Sequence, residues 1–249
     1  MLPPCSRAVN RPIDPIVSVV DDLVFLQGVG RTKHTLREWN RHPWAVMRSW
    51  VLGSVVIAFA LLGAVYVVAR ISTPDPSGTY VPGLVHGPTL DDIGMILFRN
   101  SLVLALHAFA CVAGFIALNS LPYSASRRSG ISRTIHEKAG PYAMLFVAGA
   151  TLFSLTTQAY FLGATMSSAA AQFDLTDFHF LILLLPHAVP ELTALFLPLA
   201  AWLIASRRGD WDQLLAATLV TVAVAIPTLL LSVSIEVFVF PELIKASVT

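Results

Sequence analysis

Twenty consecutive residues, "WVLGSVVIAFALLGAVYVVA" from Trp50 to Ala69, carry no charge. A helix rises about 1.5 Å per residue, so this run matches the roughly 30 Å of hydrocarbon in a bilayer. Four stretches of comparable length follow: Leu97 to Leu118, Gly140 to Ala164, Phe178 to Ser206 and Gln213 to Val237. Backbone N–H and C=O groups find no water in hydrocarbon, so such runs must close their hydrogen bonds within helices. The expected fold is therefore all-α, a polytopic membrane helical bundle of about five transmembrane helices. Composition agrees, because only 12% of the 249 residues are charged, against roughly 25% in soluble domains. No apolar run of signal-peptide length lies in the first thirty residues, so no cleavable signal is expected.

The basic residues set the orientation. Arg7, Arg11, Arg31, Lys33, Arg37, Arg41 and Arg48 precede the first run, Arg127, Arg128, Arg133 and Lys138 separate the second from the third, and Arg207 and Arg208 separate the fourth from the fifth. With five crossings, thirteen of the sixteen Lys and Arg fall on one side. The other side holds Arg70, Arg99 and Lys245 beside Asp75, Asp91, Asp92, Asp174 and Asp177. By the positive-inside rule the N-terminus is cytoplasmic.

Residues 1–49 then form a cytoplasmic amphipathic N-terminal segment and residues 50–249 the transmembrane helical domain. Within the first, "IVSVVDDLVFLQ" and "KHTLREWNRH" suit short helices lying on the membrane surface, with Trp39, Trp44 and Trp50 beside basic residues. The loop "ISTPDPSGTYVPGLVHGPTLDDIG" is rich in Pro and Gly and should lack regular structure. "LPYSASRRSGISRTIHEKAGP" should be a loop with a short helix before Pro141, and "TMSSAAAQFDLTDFHF" an outer loop or shallow helix. The small residues of "VAGATLFS", Val147 to Ser154, suggest close helix packing. A net charge of +1 without a basic recognition module gives no support to nucleic-acid binding. Two cysteines, Cys5 and Cys111, in different compartments by this topology, exclude a disulfide framework.

Chemistry has to come from the polar residues inside the spans. Asn100, His107, Cys111 and Gly114 recur at helical spacing and share one face of the second span. Gln158 falls in the outer half of the third, and Glu236 near the outer end of the fifth. In the fourth, "LILLLPHAVPELTALF" carries Pro186, His187, Pro190 and Glu191. Prolines within a helix remove two donors, leaving the carbonyls of Ile182 and Pro186 without their usual partners. An ionised acid at such depth costs about 2.5–3.5 kcal/mol on insertion scales, so Glu191 needs a partner, a proton or a polar cavity. His187, one turn away, is the expected partner. Depth alone gathers His107, Gln158, His187, Glu191 and Glu236 between the midplane and the outer surface.

Two readings of these residues stand side by side. Polar side chains in membrane bundles commonly act as hydrogen-bonding glue, at about 0.6 kcal/mol each. Alternatively they line a polar pocket beside the proline break. His187, Glu191 and His107 are then the catalytic candidates, while Asn100, His107, Gln158, Pro186, His187, Pro190, Glu191 and Glu236 make up a binding or structural cluster. There is no HExxH motif, GxSxG elbow, Walker loop or dinucleotide fingerprint. His187 and Glu191 with His107 offer three metal ligands at most, and neither a metal nor a cofactor is expected.

These segments resemble a family. "LPHAVPELTALFLPLAAWLI", Leu185 to Ile204, is similar to the hallmark segment of the stage II sporulation protein M family of integral membrane proteins. That segment has a Leu-Pro-His-Gly run followed by Glu-Leu in the penultimate span. "FRNSLVLALHAFACVAGFIAL" resembles the family's second span through Asn100 and Gly114, and "IEVFVFPEL" its close, where a Glu precedes a Pro. Asn100, Pro186, His187, Glu191 and Glu236 carry over. Ala188 stands where the family has Gly, one Asn stands where two are common, and "LNSLPYS" lacks the family's Asn-Gly. The likeness covers roughly residues 50–243. It implies a multi-pass protein of the cell membrane that anchors or localises cell-envelope partners, rather than an established catalyst.

Two functions are thus expected in competition. One is a scaffold or assembly factor that docks membrane or cell-envelope proteins, or copies of itself, through the polar cluster and in contact with membrane lipid. The other is a transporter or membrane-embedded enzyme for a lipidic or isoprenoid substrate, in which His187 and Glu191 exchange protons and His107 orients them. Both depend on an acid and an imidazole sharing one wet niche.

Overall fold

A computed structural model describes residues 30–248, apart from Pro76, Val85 and residues 118–129, and without the side chains of residues 131–140 and Ala143. The described chain is helical, with no strand among the described residues. In chain order, α1 covers residues 30–39, α2 Pro43–Ile71, α3 Leu90–Phe115, α4 Gly130–Gln172 and α5 Asp177–Arg208. A 3₁₀ turn at Trp211–Gln213 leads into α6, Leu214–Ser234, which passes through a π turn at Ile235–Val239 into α7, Phe240–Val248. Five of these segments are long and apolar enough to cross a bilayer, as the uncharged runs require. The chain is a membrane helical bundle.

The bundle is built around α5, the most deeply buried span, which packs against α2, α3, α4 and α6. From Ala194 to Trp202 every residue of α5 is buried, so this stretch has no lipid-facing side. Small residues bring α2 alongside: Ser54 and Ala58 are fully buried, and a Cβ on Gly53 would lie 3.2 Å from Ala200 Cβ. Close backbone approach of this kind drives helix association where lipid tails are as apolar as leucine. The α4 helix is the least buried span and turns Leu145, Phe146, Leu152, Phe153, Tyr160 and Phe161 outward. It meets α2 at Gly163, where any Cβ would come within 2.6 Å of Val68 Cβ and 2.8 Å of the Val65 carbonyl.

Three sequence expectations change here. The stretch "TMSSAAAQFDLTDFHF" is a loop only at residues 173–176; "TMSSAAAQ" is the end of α4, where Met166 to Ala170 are buried, and residues from Asp177 begin α5. The small and polar residues of this end of α4 face protein rather than acyl chains, which is why it is less apolar than a lipid-facing turn. Packing at "VAGATLFS" does not run through its glycine: Thr151 is buried and Val147 packs on the core, but Gly149 faces outward with nothing within 4 Å. The helix before Pro141 is not a separate short piece but runs unbroken into the span. The segment "IVSVVDDLVFLQ" and Cys5 lie outside the described residues. By contrast "KHTLREWNRH" does enter a helix, α1, whose Trp39 sits edge-on to Trp50 of α2 at 5.2 Å.

Among its described residues the connection from α2 to α3 has no helix or strand, as its Pro and Gly content predicts, yet it is tied down at several points. Asp75 N–H donates to Ser168 Oγ at 3.0 Å and Thr79 N–H to Gln172 Oε1 at 2.6 Å. Thr89 and Asp92 form a capping box at the start of α3, and Tyr80 donates its hydroxyl to Asp92 Oδ1 at 2.7 Å. That bond to a carboxylate raises the Tyr80 phenol above its ordinary value. Arg70 at the end of α2 lies 3.6 Å from Asp177 at the start of α5. Gly83, at φ +75°, rests against the carbonyl of Val237. An α-helix would give that carbonyl the N–H of residue 241, but Pro241 has none. The preceding turn widens into the π turn, with Phe240 N–H donating to Ile235 O.

Candidate functional site

The α5 helix carries Pro186, Pro190 and Pro198 and remains helical through all three. Prolines persist in membrane helices when side chains from elsewhere serve the carbonyls they disturb. In the turn before Pro190, His187 O accepts from Ser232 Oγ of α6 at 2.7 Å. In the turn before Pro198, Leu195 O accepts from His107 Nδ1 of α3 at 3.0 Å. A carbonyl only accepts, so His107 carries its proton on Nδ1. Cys111 Sγ lies 3.2 Å from Pro198 O, its thiol directed at that carbonyl. The same device recurs within α6, where Thr228 Oγ1 donates to Val224 O, three residues before Pro227. The carbonyls that lose their helical partners to Pro190 and Pro198 are those of Pro186 and Ala194; the acceptors used, His187 O and Leu195 O, lie one residue later and fasten α5 to α6 and α3.

This arrangement divides the sequence-derived cluster. His107 is fully buried, edge-on to Phe196 at 5.3 Å. His187 is buried with its ring edge-on to Phe240 at 5.1 Å, and its Nδ1 has no hydrogen-bond partner. Neither imidazole borders the cleft that the acidic residues line. The expected His187–Glu191 hydrogen bond is not formed. One turn apart, the two side chains meet different neighbours: the imidazole turns to the aromatic ring of α7, the carboxyl to α3 and α6. The shared wet niche does not exist as an acid–imidazole pair.

The carboxyl half of the cluster does converge. Glu191 faces the Asn100 amide and the Ser232 hydroxyl, with Arg99 and Glu236 within electrostatic range. All of these but the buried Ser232 border a cleft of about 300 Å³, with α3 supplying Arg99 and Asn100, α4 Thr157 and Gln158, α5 Glu191, and the π turn Glu236. Its apolar surface comes from Val103, Phe161, Leu192 and Leu195, among others. The Gln158 amide donates to Ser154 Oγ at 3.1 Å, which holds it along α4. Asn100 is about ten residues, or roughly 15 Å, into α3, so the cleft lies between the middle of the bundle and its acidic end. The π turn widens the backbone where Glu236 projects, a common use of such turns at functional sites.

Of the residues that depth gathers, Gln158, Glu191 and Glu236 are brought together and His107 and His187 are not; Asn100, two turns before His107 on α3, takes the place expected for His107. Pro186 and Pro190 shape the helix without lining the cleft. Arg99 and Ser232 were missed by sequence reasoning. Arg99 reads as a flanking charge, although its place beside Asn100 gives it the same depth; Ser232 lies one helical turn before Glu236 and shares its face. Chemically the cleft offers two carboxyls, a guanidinium and two amides, suited to holding a polar or charged group by hydrogen bonds. No nucleophile is paired with a base there: the Thr157 hydroxyl donates to Phe153 O of its own helix. No protein-family model, curated protein or solved structure matches this chain.

Proposed function

We propose that the chain is a multi-pass protein of the cell membrane, of the stage II sporulation protein M type, acting as a scaffold or assembly factor that docks a partner's transmembrane helix. The observation that carries this reading is the separation of the polar cluster. The carboxyl and amide groups border a cleft within the span region, while both histidines are enclosed in protein. A partner helix bearing one polar side chain at matching depth would satisfy Glu191 and Asn100 and cover the outward face of α4. Hydrogen bonds between helices are the natural glue where the hydrophobic effect gives no preference for protein over lipid.

Proton exchange between His187 and Glu191 on a lipidic or isoprenoid substrate draws less support. It needs both groups on one cavity, and the imidazole faces Phe240 instead. Affinity purification from membranes in mild detergent tests the docking reading. Glu191→Gln keeps the shape and the hydrogen-bonding reach but removes the carboxylate. It should leave accumulation near normal while lowering partner recovery about tenfold, the size expected for one buried charged hydrogen bond of about 1.5 kcal/mol. Glu191→Ala should lower both. Unchanged partner recovery in both variants would sink the proposal.

A further inference from the structure

A second cleft, unrelated to the first, opens at the basic end of the bundle. It lies between the beginning of α2, the end of α5 and the beginning of α6, beneath Trp39 of α1, and encloses about 370 Å³. Arg48 of α2 and Arg208, the last residue of α5, both stand on its wall and are exposed. Among the described residues neither guanidinium forms an ion pair. Ser49 and Gln213 add a hydroxyl and an amide. The floor is made of small residues, Ala201, Ala205 and Ala217, which leave a groove running into the span region.

Two features specify what fits. Two guanidiniums that form no ion pair among the described residues stand across one cleft and match the oxygens of a phosphate, which arginine binds through paired N–H donors. The start of α6 adds no anion site of its own, because the 3₁₀ turn Trp211–Gln213 precedes it, carries Asp212 and takes the Leu214 N–H on Trp211 O. Tryptophans mark the depth: Trp39 and Trp50 line the cleft, and indoles concentrate where headgroups meet acyl chains. Asp210 also stands on the wall and opposes an anion. Against it stand Arg48 and Arg208 inside the cleft, with Lys33 and Arg37 bordering the neighbouring cleft on the other side of Trp39. A polar, cationic mouth over an apolar floor at headgroup depth describes a lipid rather than a soluble solute.

We infer that this cleft is a binding site for an anionic phospholipid, its phosphodiester held between Arg48 and Arg208 and one acyl chain entering over the alanine floor. Basic pockets between transmembrane helices on the cytoplasmic side are the usual place for such recognition. The site is independent of the Glu191 cleft and stands whether or not the docking reading holds.

The test is native mass spectrometry of the full chain in a maltoside detergent, titrated with dioleoylphosphatidylglycerol or dioleoylphosphatidylcholine. The wild type should retain the anionic phosphatidylglycerol preferentially, and R48Q and R208Q should each lower that preference roughly fivefold. R41Q removes the same charge from an exposed position on neither cleft and should leave the preference intact. Millimolar inorganic phosphate should fail to displace the lipid. Equal retention of the two lipids by the wild type would overturn the site whatever the variants do. So would a loss in R41Q equal to that in R48Q, which would mean diffuse surface charge. Displacement by inorganic phosphate would overturn the lipid assignment in favour of a soluble phosphate. Gel-filtration profile and thermal midpoint establish that the variants fold; if they do not, the wild-type lipid comparison and the phosphate competition still decide.

Discussion

His107 and Glu191 belong to the same seam between α3 and α5, about two turns apart, and their surroundings are opposite. At the His107 level the seam is closed: the imidazole donates its Nδ1–H to Leu195 O, presses against Phe196 and is fully buried. At the Glu191 level α4 borders the seam, and a cleft lies between the three helices. The difference teaches that a polar residue in a membrane span cannot be interpreted from its type or depth alone. What decides is whether the backbone nearby has an acceptor to offer. At Leu195 O the histidine has a structural use; at Glu191 the neighbours are polar side chains, and the carboxyl remains available.

The largest effect should come from the closed level. His107→Ala removes a buried ring and its bond to Leu195 O, and should cost about 3 kcal/mol of stability, most of it from the cavity. His107→Leu restores the volume and should cost only the hydrogen bond, about 0.6–1 kcal/mol. Thermal unfolding in detergent compares the two; equal losses would mean the seam is held by bonding and not by packing. Ser232→Ala is intermediate, because Ser232 touches both levels of chemistry: it serves His187 O and faces Glu191. A loss near 1 kcal/mol is expected, together with reduced partner recovery, and an effect on stability alone would assign Ser232 wholly to the closed region. Glu236→Gln should be smallest, within about 0.5 kcal/mol, since the residue borders the cleft and holds no helix in place. A large loss there would show that the cleft is itself part of the scaffold's support, and would erase the contrast.

Much of this was legible beforehand. Hydrocarbon thickness fixes the length of an uncharged run, so the five spans follow from the sequence, and depth along the helix places Gln158, Glu191 and Glu236 at one level but puts His107 where Asn100 belongs. Rotation about the helix axis is not written in depth. Positions 187 and 191 share a face to within a fraction of a turn, and that fraction sends one to Phe240 and the other to Asn100. Lipid-facing and protein-facing small residues also look alike in sequence, which is why the packed end of α4 reads as a loop and the outward Gly149 of "VAGATLFS" as an interface. Arg99 was hidden by the habit of treating cations near a span end as flanks.

The meeting of Gly83 with the carbonyl that Pro241 strands has a mechanical result. It sets a thumb from the first hairpin against the shaft of the final crossing, at a point where no larger residue fits. A piston stroke of that crossing along its own axis must first lift the thumb, and with it the tethers at Ser168, Gln172 and Asp92. The C-terminal rod is in this sense geared to the whole acidic rim and does not slide by itself.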